Sequence, residues 1–153
     1  MFSWSINILD YKENADKLPS FKERLRKGIA VDLVDKNALL IGHSCGGAFL
    51  VRWLLETNKK VKKLILVSPA KVPEGVNDPR KDLYQFELPK DASQIANKIV
   101  IFTSNDFPHH LKSLKMYKLS LKPKVIKLEN KFHFLYFQTK TNEFPELLEE
   151  ALS

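Results

Sequence analysis

A chain of 153 residues with 44% hydrophobic and 28% charged side chains is long enough for one domain, residues 1–153, with a buried core. It has no apolar run near the ~20 residues of a membrane helix, no signal-peptide pattern at its start and only one cysteine, Cys45, so we expect a cytoplasmic protein without disulfides. The net charge of +7 comes mostly from dispersed lysines, which favours a solvated surface over nucleic-acid binding.

The predicted elements alternate between strands and helices. Residues 3–10 fit a short strand or an irregular entry segment, and Ser20 and Glu23 form a capping box for a short helix over 21–27. Strands are then predicted at 38–41, 64–68, 99–103 and 125–128. Helices are predicted at 45–57, 91–96, 110–119 and 143–152, the last one capped by Thr141 or Asn142.

This alternation predicts an α/β protein, a three-layer α/β/α sandwich around a mainly parallel sheet. The strands are continuously apolar, as is typical of parallel sheets covered on both faces. Ligand sites in such sheets lie at the carboxyl ends of the strands. The proline-rich segment 69–89 follows one of these ends, where it fits a lid, a pocket wall or a plain surface loop.

Residues 42–47, GHSCGG, form the most informative motif of the chain. They lie between an apolar strand and an amphipathic helix, and Ser44 occupies the centre of G-x-S-x-G, the pattern of a nucleophile elbow. Gly42 and Gly46 are expected to let the strand and the helix approach each other closely. The alternative is a tight glycine turn in which Ser44 only caps the helix.

An acid and a base follow Ser44 in the order Ser…Asp…His, each after a predicted strand end. His133 is the candidate base and Asp106 the residue that orients it, while the backbone N–H of Cys45 is the candidate oxyanion donor. The alternatives are a packing role for His133, between two phenylalanines, and a turn-capping role for Asp106.

The remaining candidates have less support. His109 and His110 fit pocket or surface positions on a loop, and His43 is expected to pack beneath the elbow. The Cys45 thiol is expected to point away from the position of Ser44, which argues against a cysteine nucleophile. No metal-ligand spacing and no phosphate-binding glycine motif is present, so we expect neither a metal nor a cofactor.

The elbow, the stretch 64–70 (LILVSPA), the turn 104–106 (SND) and His133-Phe134 resemble the small α/β-hydrolase family typified by retinoblastoma-binding protein 9 and its bacterial relatives. The likeness covers roughly residues 17–153. It implies an α/β-hydrolase fold and a cofactor-free serine hydrolase, with the nucleophile on Ser44, the acid on Asp106 and the base on His133.

The sequence departs from this family in three places. Nothing before Ser44 resembles the family's first strand and oxyanion loop, the acid turn is short, and Phe132 stands where a glycine often precedes the histidine. We therefore expect an N-terminally shortened domain. Three alternatives remain open: residues 3–9 replace the strand, a partner in a homodimer covers the edge, or the chain is a weakly active copy.

The sequence thus predicts a serine hydrolase that cleaves an ester, thioester or amide of a small molecule or peptide. The alternative is a weakly active or non-catalytic binding protein on a hydrolase scaffold. Tyr84, Phe86 and Phe107 are candidates for an apolar pocket, although such aromatic side chains are more often part of a core.

Overall fold

A computed structural model describes residues 34–153, which contain four strands and five α-helices. The strands are β1 (Leu39–His43), β2 (Val61–Val67), β3 (Ala96–Thr103) and β4 (Lys124–Lys127). The helices are α1 (Cys45–Thr57), α2 (Lys81–Tyr84), α3 (Pro108–Leu121), α4 (Tyr136–Thr139) and α5 (Pro145–Leu152), with a 3₁₀ turn at Ser93–Ile95. The elements predicted at 3–10 and 21–27 lie outside the described residues.

The four strands form one parallel sheet in the order β1-β2-β3-β4. Leu40 pairs with Leu64, Leu64 with Ile99, and Val100 with Lys124, so the strands are aligned side by side. Because all four strands run in the same direction, their carboxyl ends meet at one edge of the sheet. The predicted parallel sheet is confirmed.

Both faces of the sheet are covered by apolar side chains. Leu64 and Leu66 of β2 join a core cluster with α1 and α3, whereas Ile65 and Val67 join a second cluster with α5. Successive side chains of a strand point to opposite faces, so one apolar run fills both clusters. The predicted three-layer arrangement is therefore confirmed.

Two helices begin at prolines that the predicted boundaries missed. α3 starts at Pro108 and α5 at Pro145, and neither Thr141 nor Asn142 caps the last helix, whose N-cap is Phe144. Proline suits the first helical turn because its missing N–H would have no intrahelical partner there. The helix predicted over 91–96 is only a 3₁₀ turn, and β3 already begins at Ala96.

The proline-rich segment 69–89 packs onto α1. Leu83 and Tyr84 in its short helix are buried in the α1 side of the core. Arg52 of α1 donates a hydrogen bond from Nη1 to the carbonyl oxygen of Asp82 at 2.7 Å. Tyr84 is thus a core residue, as aromatic side chains more often are.

Candidate active site

Ser44 stands between β1 and α1 with a strained backbone. Its φ is 52° and its ψ is −121°, and its side chain makes no capping hydrogen bond to α1. Its N–H donates to the carbonyl oxygen of Val67 at 2.9 Å, and its own carbonyl oxygen accepts the N–H of Ala70 at 3.0 Å. The end of β2 therefore holds the turn on both sides, and the strain persists because its surroundings enforce it.

The close approach of β1 and α1 depends on two glycines, Gly42 and Gly47. A Cβ placed on Gly42 would lie 2.8 Å from the Cα of Gly47, and one placed on Gly47 would lie 3.1 Å from the Cβ of Pro69. A Cβ on Gly46 meets nothing within 4 Å among the described residues. The expected role of Gly46 is therefore wrong, and the contact belongs to Gly47.

Asp106 and His133 are paired at the same edge of the sheet. His133 Nδ1 lies 3.0 Å from Asp106 Oδ1 and 2.9 Å from Oδ2. The His133 side chain is only 8% exposed and the Asp106 side chain 2%, so water competes little for this contact. An imidazole that donates from Nδ1 to a carboxylate presents Nε2 as its basic nitrogen.

The turns that carry this pair are fixed by nearby polar groups. Asp106 Oδ1 also accepts the N–H of Phe107 at 2.7 Å, so the carboxylate caps its turn as well as contacting His133. The N–H of His133 donates to Gln138 Oε1 at 2.9 Å. Sequence reasoning missed Gln138, because only the fold of the 131–139 segment brings its amide back onto His133.

The environment of the pair favours a charged acid. Burial of the Asp106 carboxyl opposes its ionisation, but this is outweighed chiefly by the hydrogen bond with His133, so the pKa of Asp106 lies below its usual range. Asp106 is therefore a carboxylate at neutral pH. It is suited to stabilise positive charge on the imidazole of His133.

The other histidines surround His133. His110 lies in the first turn of α3, is 7% exposed and has its ring centroid 4.0 Å from that of His133. Burial, followed by the proximity of His133, lowers the pKa of His110 to about 3. His110 is thus a buried residue in the first turn of α3, in agreement with the helix predicted over 110–119, and it does not lie on a loop.

His43 does not pack beneath the elbow as expected. It is exposed, its Nε2 lies 2.8 Å from the carbonyl oxygen of His133, and the two rings are 4.8 Å apart. His43, the residue before Ser44, therefore contacts the residue that carries the candidate base.

In the described part of the chain, residues 34–153, Ser44 Oγ makes no hydrogen bond to the His133 ring. Such a contact between a nucleophile and its base often forms only when substrate is bound.

The side chain of Cys45 packs against the α1 side of the core, while its N–H lies at the N-terminus of α1. A cleft with a volume of about 180 Å³ opens beside the paired residues, and Phe107 and Phe132 contribute to its walls. Of the three aromatic residues expected in a pocket, only Phe107 lines this cleft.

Three side chains at this edge also have the chemistry of a metal site. One ligand atom from each of Asp106, His110 and His133 lies within 4.8 Å of the other two. The spacing of these residues along the sequence did not indicate such a group, because most of helix α3 and the strand β4 separate His133 from the other two.

Solved structures similar to this chain have the α/β-hydrolase fold. A predicted CIB-like hydrolase from Thermoplasma acidophilum matches with a TM-score of 0.51 and 18% identity, over 86% of this chain and 56% of that chain. A variant of the meta-cleavage product hydrolase CumD matches with a TM-score of 0.58 and 16% identity, over 94% of this chain and 74% of that chain. Est1E from Butyrivibrio proteoclasticus, solved with ferulic acid, matches with a TM-score of 0.50 and 16% identity, over 86% of this chain and 61% of that chain.

At these identities the likeness shows the fold alone, and the chain spans 56% of the Thermoplasma hydrolase and 61% of Est1E. No curated protein sequence matched the chain. The profile of the serine hydrolase family matches residues 16–148. The chain therefore belongs to the serine hydrolase family. Within residues 34–153, every helix falls short of the length and apolarity needed to cross a bilayer.

Proposed function

We propose that the protein hydrolyses an ester, thioester or amide of a small molecule or peptide, with Ser44 as nucleophile, His133 as base and Asp106 as the residue that orients the base. The observation that carries this proposal is the buried Asp106–His133 pair, 2.9 and 3.0 Å apart, at the sheet edge where the strained Ser44 turn lies. Membership of the serine hydrolase family supports the reaction class.

In the proposed reaction, Ser44 Oγ attacks the substrate carbonyl carbon while His133 Nε2 takes the hydroxyl proton. The carbonyl oxygen becomes an oxyanion that accepts the N–H of Cys45, at the positive end of α1. The leaving group departs with the proton from His133, and an acyl-Ser44 ester remains. Water then attacks this ester, and its proton returns through His133 to Ser44 Oγ as the acid product leaves.

Within the family, we propose that the chain is one of the small hydrolases typified by retinoblastoma-binding protein 9. The support is the order of the motifs 42–47, 64–70, 104–106 and 133–134.

We also propose a cytoplasmic location, because a sequence with a single cysteine, Cys45, suits a reducing compartment.

A fluorophosphonate probe tests the proposed nucleophile directly. We expect the folded protein to be labelled, Ser44→Ala to abolish labelling and His133→Ala to slow it by about 10²–10⁴-fold, because the base then no longer activates the hydroxyl. Ser93→Ala is the matched control, because Ser93 precedes β3 at the opposite sheet edge, and it should label at the wild-type rate.

The second candidate function is ligand binding without turnover on the same scaffold. It is favoured by the lack of a hydrogen bond between Ser44 Oγ and His133 among the described residues. A folded protein that does not react with the probe would overturn the hydrolase proposal in favour of this one. A Ser44→Ala variant that still reacts would overturn the assignment of Ser44 as the nucleophile.

A further inference from the structure

The cluster of Asp106, His110 and His133 contains a buried nitrogen that the proposed reaction does not use. His110 is 7% exposed, and its Nδ1 has no hydrogen-bond partner among the residues that the structure describes. A buried polar atom without a partner is costly, so it requires a physical explanation. A bound cation would give this nitrogen the partner that it lacks.

The donor set defines the class of cation. One ligand atom from each of the three side chains lies within 4.8 Å of the others. Two imidazoles and one carboxylate suit a borderline ion such as Zn²⁺, whereas Mg²⁺ and Ca²⁺ prefer oxygen ligands alone. Zinc bonds of about 2.0–2.1 Å place tetrahedral ligands roughly 3.4 Å apart, so no pair of ligand atoms would need to close by more than about 1.4 Å.

The fold makes this movement local. Asp106 immediately precedes α3 and His110 lies in its first turn, so the two residues share one rigid support. His133 follows β4, and its ring already packs against that of His110 at 4.0 Å. We therefore expect rotation of these side chains, without movement of the elements that carry them, to bring the three ligand atoms together.

We propose that Asp106, His110 and His133 form an inhibitory binding site for a divalent transition-metal ion, Zn²⁺ above all. The ion takes the carboxylate of Asp106 and Nδ1 of His133, and the Nδ1 proton is released to solvent, so the hydrogen bond between the two residues is lost. Binding of the ion depends only on this geometry. The inhibition rests on the proposed function, because it requires His133 to act as the base.

Binding is tested by titrating EDTA-treated, dialysed protein with Zn²⁺ in a calorimeter. We expect one Zn²⁺ per chain for the wild type and at least tenfold weaker binding for His110→Phe, which keeps a buried ring without a ligand atom. His110→Gln is the second variant in case the first does not fold, and circular dichroism checks both. His109→Phe changes the neighbouring histidine, outside the three-residue cluster, and should bind within twofold of wild type.

Two results would overturn the proposal: no saturable binding by the wild type, or equal affinity in the wild type and a folded His110 variant. Fluorophosphonate labelling with and without Zn²⁺ then tests inhibition. Zn²⁺ should suppress labelling of the wild type, EDTA should restore it, and His110→Phe should need at least tenfold more Zn²⁺. Binding that depends on His110 in a protein that never labels would support the metal site while the hydrolase proposal fails.

Discussion

At the scale of single residues, the two phenylalanines beside His133 have a backbone conformation that is unfavourable for any residue with a side chain. Phe132 has a φ of 50° and Phe134 a φ of 59°, both in the left-handed region that favours glycine. Each such residue costs on the order of 1–3 kcal/mol and persists only where its surroundings enforce the conformation. Glycine would adopt this conformation without that cost, but the residue before His133 is Phe132, whose side chain lines the cleft.

Gln138 is the residue that holds this turn, and it carries the first prediction. Its Oε1 accepts the N–H of His133 at 2.9 Å and the N–H of Leu135 at 3.3 Å. Gln138→Ala should lower the free energy of unfolding by about 1–2 kcal/mol, because two backbone donors lose their acceptor. Urea denaturation measures this change, and fluorophosphonate labelling should slow in parallel.

Gln138→Glu is the matched variant, because a carboxylate oxygen accepts the same two hydrogen bonds. It should keep both the stability and most of the labelling rate. If Gln138→Ala left both quantities at the wild-type level, the amide would have no part in positioning His133.

At the scale of elements, the packing of β1 against α1 depends on Gly42. A Cβ at this position would lie 2.8 Å from the backbone N and Cα of Gly47 and 2.9 Å from Leu50 Cδ1. Backbone atoms cannot move aside as the end of a side chain can, so Gly42→Ala must push the helix away from the strand. We expect a loss of about 1–3 kcal/mol in the free energy of unfolding, together with a loss of fluorophosphonate labelling.

Gly46→Ala is the control for this prediction. Its Cβ meets nothing within 4 Å in the described part of the chain, residues 34–153, and alanine is a better helix former than glycine by about 1 kcal/mol. The variant should therefore be as stable as the wild type or more so in the same urea experiment. Equal effects of the two substitutions would show that the β1–α1 contact is looser than the structure indicates.

At the scale of the whole molecule, one buried glutamate, Glu150, ties α5 to three strands of the sheet. Glu150 is 6% exposed, with Oε1 2.5 Å from Lys98 Nζ and Oε2 2.8 Å from Lys124 Nζ. Lys63 donates from Nζ to the main-chain oxygen of Glu150 at 2.7 Å. These lysines belong to β3, β4 and β2, so the C-terminal helix is held across the sheet by one cluster of charges.

This cluster predicts a loss of stability in acid. Hydrogen bonds from Lys124 and Lys98 lower the pKa of Glu150 from 4.5 to about 2. Because the folded pKa lies below the unfolded one, the stabilisation is complete above pH 4.5 and is lost as the pH falls towards 2. Since both lysines are partly exposed, we expect Glu150→Gln to cost on the order of 1–2 kcal/mol at pH 7.

Urea denaturation at pH 7, 4.5 and 3 measures this dependence. The difference in unfolding free energy between wild type and Glu150→Gln should shrink as the pH falls below 4.5. Glu149→Gln on the same helix is the control, because Glu149 is exposed, and it should show no such trend. A difference that stays constant from pH 7 to pH 3 would rule out the carboxylate as its source.

The sequence by itself determined the parallel sheet, the layers and the position of Ser44 between β1 and α1. These follow from local patterns: apolar runs fill both faces of a parallel strand, and glycines flank a strained turn. The pattern also placed Asp106 and His133 after strand ends, which puts them at one edge of the sheet. Helix boundaries were less exact, because prolines at 108 and 145 decided them.

Only the tertiary structure decided which side chains meet at that edge. The contact of Gly42 with Gly47, the amide of Gln138 on His133 and the packing of His110 against His133 join residues whose spacing carries no periodic signal. Each contact depends on how a loop returns to the sheet, and that path is set by the packing of the whole core. The physical reason is that hydrophobic periodicity encodes the faces of elements, whereas the geometry of a site depends on the turns between them.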